Sequence, residues 1–168
     1  MRVLGIDPGS LRTGWGIVDR NGNRLTAVAA GVIRLDGEDE LHVRLKEMHE
    51  ALTAIIGEHA PDEVAVEDIF QAKFDRSALK LGQARGVALL AAAQAERPVH
   101  AYPPALVKRT VGGGGRADKQ QVAQLVGAIL GLKVLPKVDA TDALAVAITH
   151  AQARRVAPIA RRPGSRAR

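Results

Sequence analysis

A chain of 168 residues and 17.8 kDa accommodates one domain of ordinary size and little more. Apolar residues at 46% and charged residues at 25% are globular proportions, and the absence of cysteine excludes disulfides, iron–sulfur clusters, cysteine-ligated zinc and thiol nucleophiles together. The net charge of +6 is unevenly spread: residues 1–69 carry 7 Lys and Arg against 13 Asp and Glu, residues 70–153 carry 11 against 5, and residues 154–168 carry six Arg and no acid. Basic groups around an acidic spot suit a polyanion held near metal-binding carboxylates, although an arginine-rich solvated surface accounts for the same counts. No apolar run reaches the length of a membrane span and no secretory leader pattern opens the chain, so a reducing cytoplasm is expected.

The first apolar run, Met1 to Ile6, ends on Asp7-Pro8-Gly9-Ser10, a strand meeting a turn just after an acid. Thr13 to Val18 reads as a second strand, and Asn21-Gly22 signals a hairpin into a third, Leu25 to Ile33. Leu41, Leu45, Met48, Leu52, Ile55 and Ile56 recur at helical spacing behind a run of acids. Glu63 to Val66 is a short buried strand that ends, like the first, on an acid, Glu67. A long helix is expected over Ser77 to Glu96, a fifth strand over Val99 to Tyr102, and a short helix at best over Leu106 to Val111. Gly112 to Gly115 reads as a mobile loop, and Asp118 as the cap of a helix ended by Gly131. A last helix is expected from Asp139 to about residue 157. The order predicts an α/β fold with a mixed five-stranded sheet flanked by helices over residues 1–157, followed by a basic, disordered tail over 158–168.

Asp7 and Glu67 close two strands, and Asp139 and Asp142 stand three apart on one face of the last helix. Singly, each is an ordinary turn or cap acid, Asp139 for instance being a good N-cap. Together they repel one another, and the usual compensation is a hard divalent cation with oxygen ligands. At these residues the chain resembles the bacterial RuvC Holliday-junction resolvases. The likeness rests on GIDPGSLRTGWGIVD (Gly5 to Asp19), VAVEDIFQAKFDRSALKLGQARG (Val64 to Gly86) and KVDATDALAVAITH (Lys137 to His150), in that order and spacing, and covers about residues 1–153. The resemblance implies a ribonuclease-H-like fold and a cytoplasmic homodimer. It also implies a metal-dependent endodeoxyribonuclease that cuts four-way DNA junctions in recombination and repair, leaving ligatable 5′-phosphate and 3′-hydroxyl ends, and a junction-migrating translocase complex as partner. The family's acidic tetrad maps onto Asp7, Glu67, Asp139 and Asp142. Two Mg²⁺ or Mn²⁺ ions about 3.5–4 Å apart would activate water and stabilise the leaving oxygen, with Asp7 expected to bridge them.

Phe70 matches the family's junction-stacking phenylalanine, and a core position is the competing reading. Phe74 and Trp15 are assigned to packing. Lys108 and Lys119 flank the glycine loop with Arg109 and Arg116, and the resemblance tilts them towards phosphate. Arg76, Lys80 and Arg116 complete the expected DNA-binding set. No Gly-Lys-Ser/Thr follows the four glycines, which excludes a nucleotide phosphate loop. Ala78, Gly82 and Gly86 make a small-residue seam suited either to a two-fold dimer or to packing on the sheet. The five histidines show no metal-ligand spacing, though His150 stands near the last motif as a supporting group. Gly-Ile-Asp-x-Gly before a hairpin also opens actin-like ATPases and sugar kinases, but those need two lobes. A non-catalytic junction binder, or a relative acting on RNA, is disfavoured by the intact tetrad.

Overall fold

The computed structural model describes residues 1–68, 76–112 and 118–154. Phe70, Phe74, Arg116, the side chain of Arg76 and the arginine-rich end from residue 155 lie outside the described residues. One mixed sheet has the strand order β3-β2-β1-β4-β5. β1 (Arg2–Asp7), β2 (Arg12–Asn21) and β3 (Arg24–Arg34) form an antiparallel meander, and β4 (Glu63–Glu67) and β5 (Val99–Tyr102) extend it in parallel on the far side of β1. Asn21 pairs with Arg24, so the hairpin turns on Gly22 and Asn23, with Gly22 supplying the left-handed φ of 59°. Parallel neighbours need crossovers, and α1 (Leu41–His59) and α2 (Arg76–Gln94) provide them. α3 (Pro104–Gly112), α4 (Lys119–Leu130) and α5 (Val138–Ala153) follow the last strand.

Alternation along the strands separates two cores. Leu4, Ile6, Ile17, Val64 and Val66 meet Met48, Leu52 and Ile56 of α1 and the alanines Ala84, Ala88, Ala91 and Ala92 of α2. On the other face Val3, Val18 and Ala65 meet Leu144, Val146 and Ile148 of α5, with Val107, Val122 and Val126 of α3 and α4 packed around them. α5 is apolar nearly all round and is buried from Ala140 to Ala151 apart from Asp142.

The close seat of α5 depends on glycines. A Cβ on Gly5 would overlap the carbonyl oxygen of Ala143, one on Gly14 the carbonyl oxygen of Asp139, and one on Gly16 would lie 2.6 Å from Leu144. Glycine therefore lets the helix backbone rest directly on β1 and β2.

Three expected boundaries are corrected. α3 begins at Pro104, because proline's fixed φ and missing N–H suit the first turn of a helix. α5 begins at Val138 with Lys137 as N-cap, so Asp139 lies inside the first turn and does not cap the helix. Its regular hydrogen bonding ends at Ala153, short of residue 157. α4 follows expectation: Gln121 N–H donates to Asp118 Oδ1 at 2.8 Å, Asp118 N–H donates to Gln121 Oε1 at 3.1 Å, and Gly131 closes the helix in the left-handed region.

Candidate active site

β1 and β4 are parallel neighbours with Ile6 opposite Val66, so the acids that follow, Asp7 and Glu67, emerge side by side at the same end of the sheet. Both belong to the face that α5 covers, since Val3 and Ala65 on the same alternation contact that helix. α5 crosses β1 and β2 with its N-terminal turn over Gly14, which is paired with Asp7. That crossing brings Asp142 to the same spot and Asp139 within electrostatic reach of Asp7 and Asp142. The result is a cavity of about 220 Å³ lined by Asp7, Glu67 and Asp142, by Lys108 of α3 and Lys119 of α4, and by Pro104, Val107, Val122 and Ala145. Asp139 stands beside this cavity and does not line it.

The loop after Asp7 is held from both sides. Thr13 Oγ1 donates to the Gly9 carbonyl at 3.0 Å, and Arg44, buried in α1, donates from Nη1 to the Ser10 carbonyl at 3.1 Å. The exit of β4 is fixed in the same way. Asp68 N–H donates to the Tyr102 carbonyl at 2.8 Å, and the Asp68 carboxylate pairs with Arg85 of α2 at 3.0 Å.

Crowding shows in the acidities. Burial first, then the neighbouring Asp7, push Glu67 up to about 8, and the two side chains share a hydrogen bond. Burial also raises Asp7, with the charges of Asp142 and Asp139 adding to it, while the bond to Glu67 and the charge of Lys119 oppose the rise. Asp142 is raised by burial and by Asp139, against Lys119 and Lys108. The site is therefore short of positive charge, and its two lysines relieve only part of the repulsion.

This has a measurable consequence for the metal-free protein. The unfolded chain releases the Glu67 proton near its ordinary value of 4.5, whereas the folded chain holds it to about 8. Between those values the folded state binds more protons, so Glu67 weakens folding progressively as pH rises through that window. Denaturant unfolding in chelator is expected to show wild type losing stability relative to Glu67→Gln between pH 5 and 8. A difference that is flat or grows with pH contradicts the shift.

Residues 3–150 match the family described as crossover junction endodeoxyribonuclease RuvC. The chain belongs to the RuvC family. It is 54% identical to RuvC of Sorangium cellulosum over 153 residues, 91% of this chain and 86% of that protein. It is 50% identical to RuvC of Beijerinckia indica subsp. indica over 155 residues, 92% of this chain and 89% of that one. The structure of T. thermophilus RuvC in complex with Holliday junction substrate aligns with a TM-score of 0.86 at 36% identity, covering 92% of this chain and 95% of that chain. The sheet and its helices are thus the ribonuclease-H-like arrangement of the RuvC resolvases, and the chain is a crossover junction endodeoxyribonuclease.

Of the DNA-binding residues expected from the RuvC resemblance, Lys108 and Lys119 reach the cavity. Lys80 is exposed on α2 and does not line it. Phe70, Arg116 and the Arg76 side chain lie outside the described residues. Trp15 packs as expected, against Gly31 and 5.6 Å from the His59 ring.

His150 is far from the carboxylates of the cavity. Eight residues of helix separate it from Asp142, about 12 Å. It is fully buried at the opposite end of β4, where its Nε2 lies 2.7 Å from Glu63 Oε2 and its Nδ1 lies 2.7 Å from Tyr102 Oη. Arg154 donates to Glu63 Oε1, and His100 of β5 stacks on His150 at 4.5 Å. Burial raises Glu63, but the hydrogen bonds from Arg154 and His150 outweigh it and leave the carboxyl below its ordinary value. Glu63, His100 and His150 come from three separate elements and place a ligand atom each within 4.8 Å of the others. Sequence spacing gives no sign of this group; the signal available is an acid at the first position of a strand whose next three residues are apolar.

Proposed function

We propose that this RuvC-family nuclease resolves four-way DNA junctions by hydrolysing one phosphodiester in each of two opposed strands, with Asp7, Glu67, Asp139 and Asp142 as its catalytic carboxylates. One observation carries the reading: a cavity in which Asp7, Glu67 and Asp142 face Lys108 and Lys119. Its charged donors are carboxylate oxygens, without histidine or sulfur, which is the donor set of a hard cation such as Mg²⁺ or Mn²⁺. The raised acidities of Asp7, Glu67 and Asp142 arise from burial and mutual repulsion, and a dication offsets both. Four carboxylates suffice to hold two ions with positions left for phosphate and water. Bound metal supplies Lewis-acid activation of water and charge neutralisation at the phosphodiester.

The protein's own groups do the rest. Lys108 and Lys119 approach from different helices and hold the phosphate against the carboxylates through charge-assisted hydrogen bonds. Val107, Val122 and Ala145 give the cavity an apolar wall that strengthens these interactions by excluding water. Asp7 and Glu67 would hold a cation in their deprotonated forms, so the proton that their raised pKa values retain would be released to solvent. Phe70, Arg76, Lys80 and Arg116 extend the DNA contact beyond the cavity, Phe70 by stacking on an opened base, and the arginine-rich end adds phosphate contacts that do not select a junction. The reaction is tested by its products: nicks made in Mg²⁺ are expected to be resealed by DNA ligase, and ends that ligase does not rejoin overturn the assignment of 5′-phosphate and 3′-hydroxyl termini.

Two symmetric cuts call for two sites, and we infer a homodimer seam on α2. Leu79 and Leu90 are 68% and 50% exposed there, and Cβ atoms built on Gly82 and Gly86 meet nothing within 4 Å. The alanines of the same helix already serve the sheet-side core, so the glycines support contact with a second copy and not with the sheet. Gly86→Glu is expected to shift the protein from dimer to monomer in sedimentation. An unchanged dimer places the seam elsewhere. A junction-migrating translocase complex in the cytoplasm completes the proposed setting, in keeping with the finding that no helix among the described residues is long and apolar enough to cross a membrane.

A further inference from the structure

We propose that Glu63, His100 and His150 form a second metal site, separate from the catalytic carboxylates and selective for an imidazole-preferring dication of the zinc type. Both histidines direct Nε2 at the same oxygen, Glu63 Oε2, from 2.7 Å for His150 and 3.1 Å for His100. His100 Nε2 is buried and makes no hydrogen bond there in spite of the short distance. An ion at this point gives that nitrogen the partner it lacks. Zinc binds imidazole nitrogen and carboxylate oxygen at about 2.0–2.2 Å, so atoms sharing one ion stand roughly 3 Å apart. The three candidate ligand atoms already lie within 4.8 Å of one another. The two rings are stacked at 4.5 Å with their planes 27° apart.

The surrounding groups are arranged as supports for such a site. Tyr102 Oη lies 2.7 Å from His150 Nδ1 and would accept that nitrogen's N–H once Nε2, which donates to Glu63 in the metal-free protein, is given over to the ion. Arg154 bonds the remaining carboxylate oxygen, Oε1, and leaves Oε2 for the ion. Its guanidinium opposes the incoming charge, but the side chain is 44% exposed and screened by water. His100, 36% exposed, opens the site to solvent. Two imidazoles and one carboxylate suit zinc or cobalt better than magnesium, whereas the catalytic cavity offers oxygen alone. About 13 Å of strand separate Glu63 from Glu67, so the two sites do not share an ion. An ion here ties β4, β5 and α5 together at the end opposite the cavity. Those elements carry Glu67, Asp139 and Asp142, so the ion acts as a structural clamp on the spacing of the carboxylates.

The test is calorimetric titration of the full-length protein with Zn²⁺ in excess Mg²⁺, with Co²⁺ absorption as a second readout. Wild type and Asp142→Asn are each expected to bind one Zn²⁺ per chain and to give the visible Co²⁺ bands of a low-coordinate nitrogen-containing site. His100→Gln is expected to lose at least about tenfold in Zn²⁺ affinity and to lose the bands. His100→Phe, which keeps a ring against His150, is expected to do the same, and circular dichroism verifies that both variants are folded. Zn²⁺ binding that survives in either His100 variant, binding that disappears in Asp142→Asn, or no binding in excess Mg²⁺ overturns the proposal.

Discussion

Asp7→Asn is expected to abolish metal-dependent cleavage of a four-way junction while leaving junction binding intact. Asp7 is hydrogen-bonded to Glu67 and feels the charges of both Asp139 and Asp142, so among the described residues it joins the strand acids to the helix acids. An amide of the same shape keeps the packing and removes the negative charge that draws the cation. The loss is set at about a thousandfold or more, the scale of removing a fixed group whose charge acts in the transition state. Binding is expected to persist because Lys108 and Lys119, the residues proposed to hold the phosphate, are untouched. Mobility shift in Ca²⁺, alongside denaturing gels in saturating Mg²⁺, separates the two properties. Nicking within tenfold of wild type removes Asp7 from the chemistry, and a parallel loss of binding shows that the carboxylate serves DNA contact or folding.

Gly14→Ala is the second large effect. The added Cβ would overlap the Asp139 carbonyl oxygen, and the obstructing atom is helix backbone, which cannot rotate away. α5 must then lift from β2 or the strand must bend, at a cost of about 1–3 kcal/mol for overpacking of this kind. Lifting the first turn of α5 also withdraws Asp139 and Asp142 from Asp7 and Glu67. Gly14→Ala is therefore expected both to lower the unfolding midpoint and to suppress cleavage beyond the fraction unfolded. Gly57→Ala on α1 is the control, because a Cβ there meets nothing within 4 Å and alanine gains up to about 1 kcal/mol over glycine in a helix. A Gly14→Ala protein as stable and active as wild type contradicts the close seating of α5.

What could be read from the sequence follows from where the physical signal is local. β1 and β4 are short apolar runs that each stop on an acid, and the helices repeat apolar residues every three or four positions, so element types and the strand-end carboxylates were legible. The third helix is expected only from Leu106, whereas Pro104, whose geometry suits a first turn, starts it. The last helix is expected from Asp139, whereas it starts at Val138 with Lys137 as its N-cap. Gly5, Gly14 and Gly16 are visible in the sequence, but the helix that rests on them is more than 120 residues away, and no local pattern shows that approach. The same holds for Glu63, His100 and His150, which meet only because β4, β5 and α5 are adjacent. The tetrad was legible as a set through its motifs. That Asp7, Glu67 and Asp142 line one cavity while Asp139 stands beside it depends on the angle at which α5 crosses the sheet.

Whether the carboxylates assembled by β1, β4 and α5 carry out metal-dependent cleavage of junction DNA is decided by one mixed-substrate assay. Full-length protein is incubated with a labelled synthetic four-way junction and a linear duplex of the same sequence in one tube, with Mg²⁺ or with chelator. Paired, symmetrically placed nicks in the junction, an intact duplex and no cutting of either in chelator are the expected result. Cleavage that persists in chelator, or a duplex cut as fast as the junction, would contradict it.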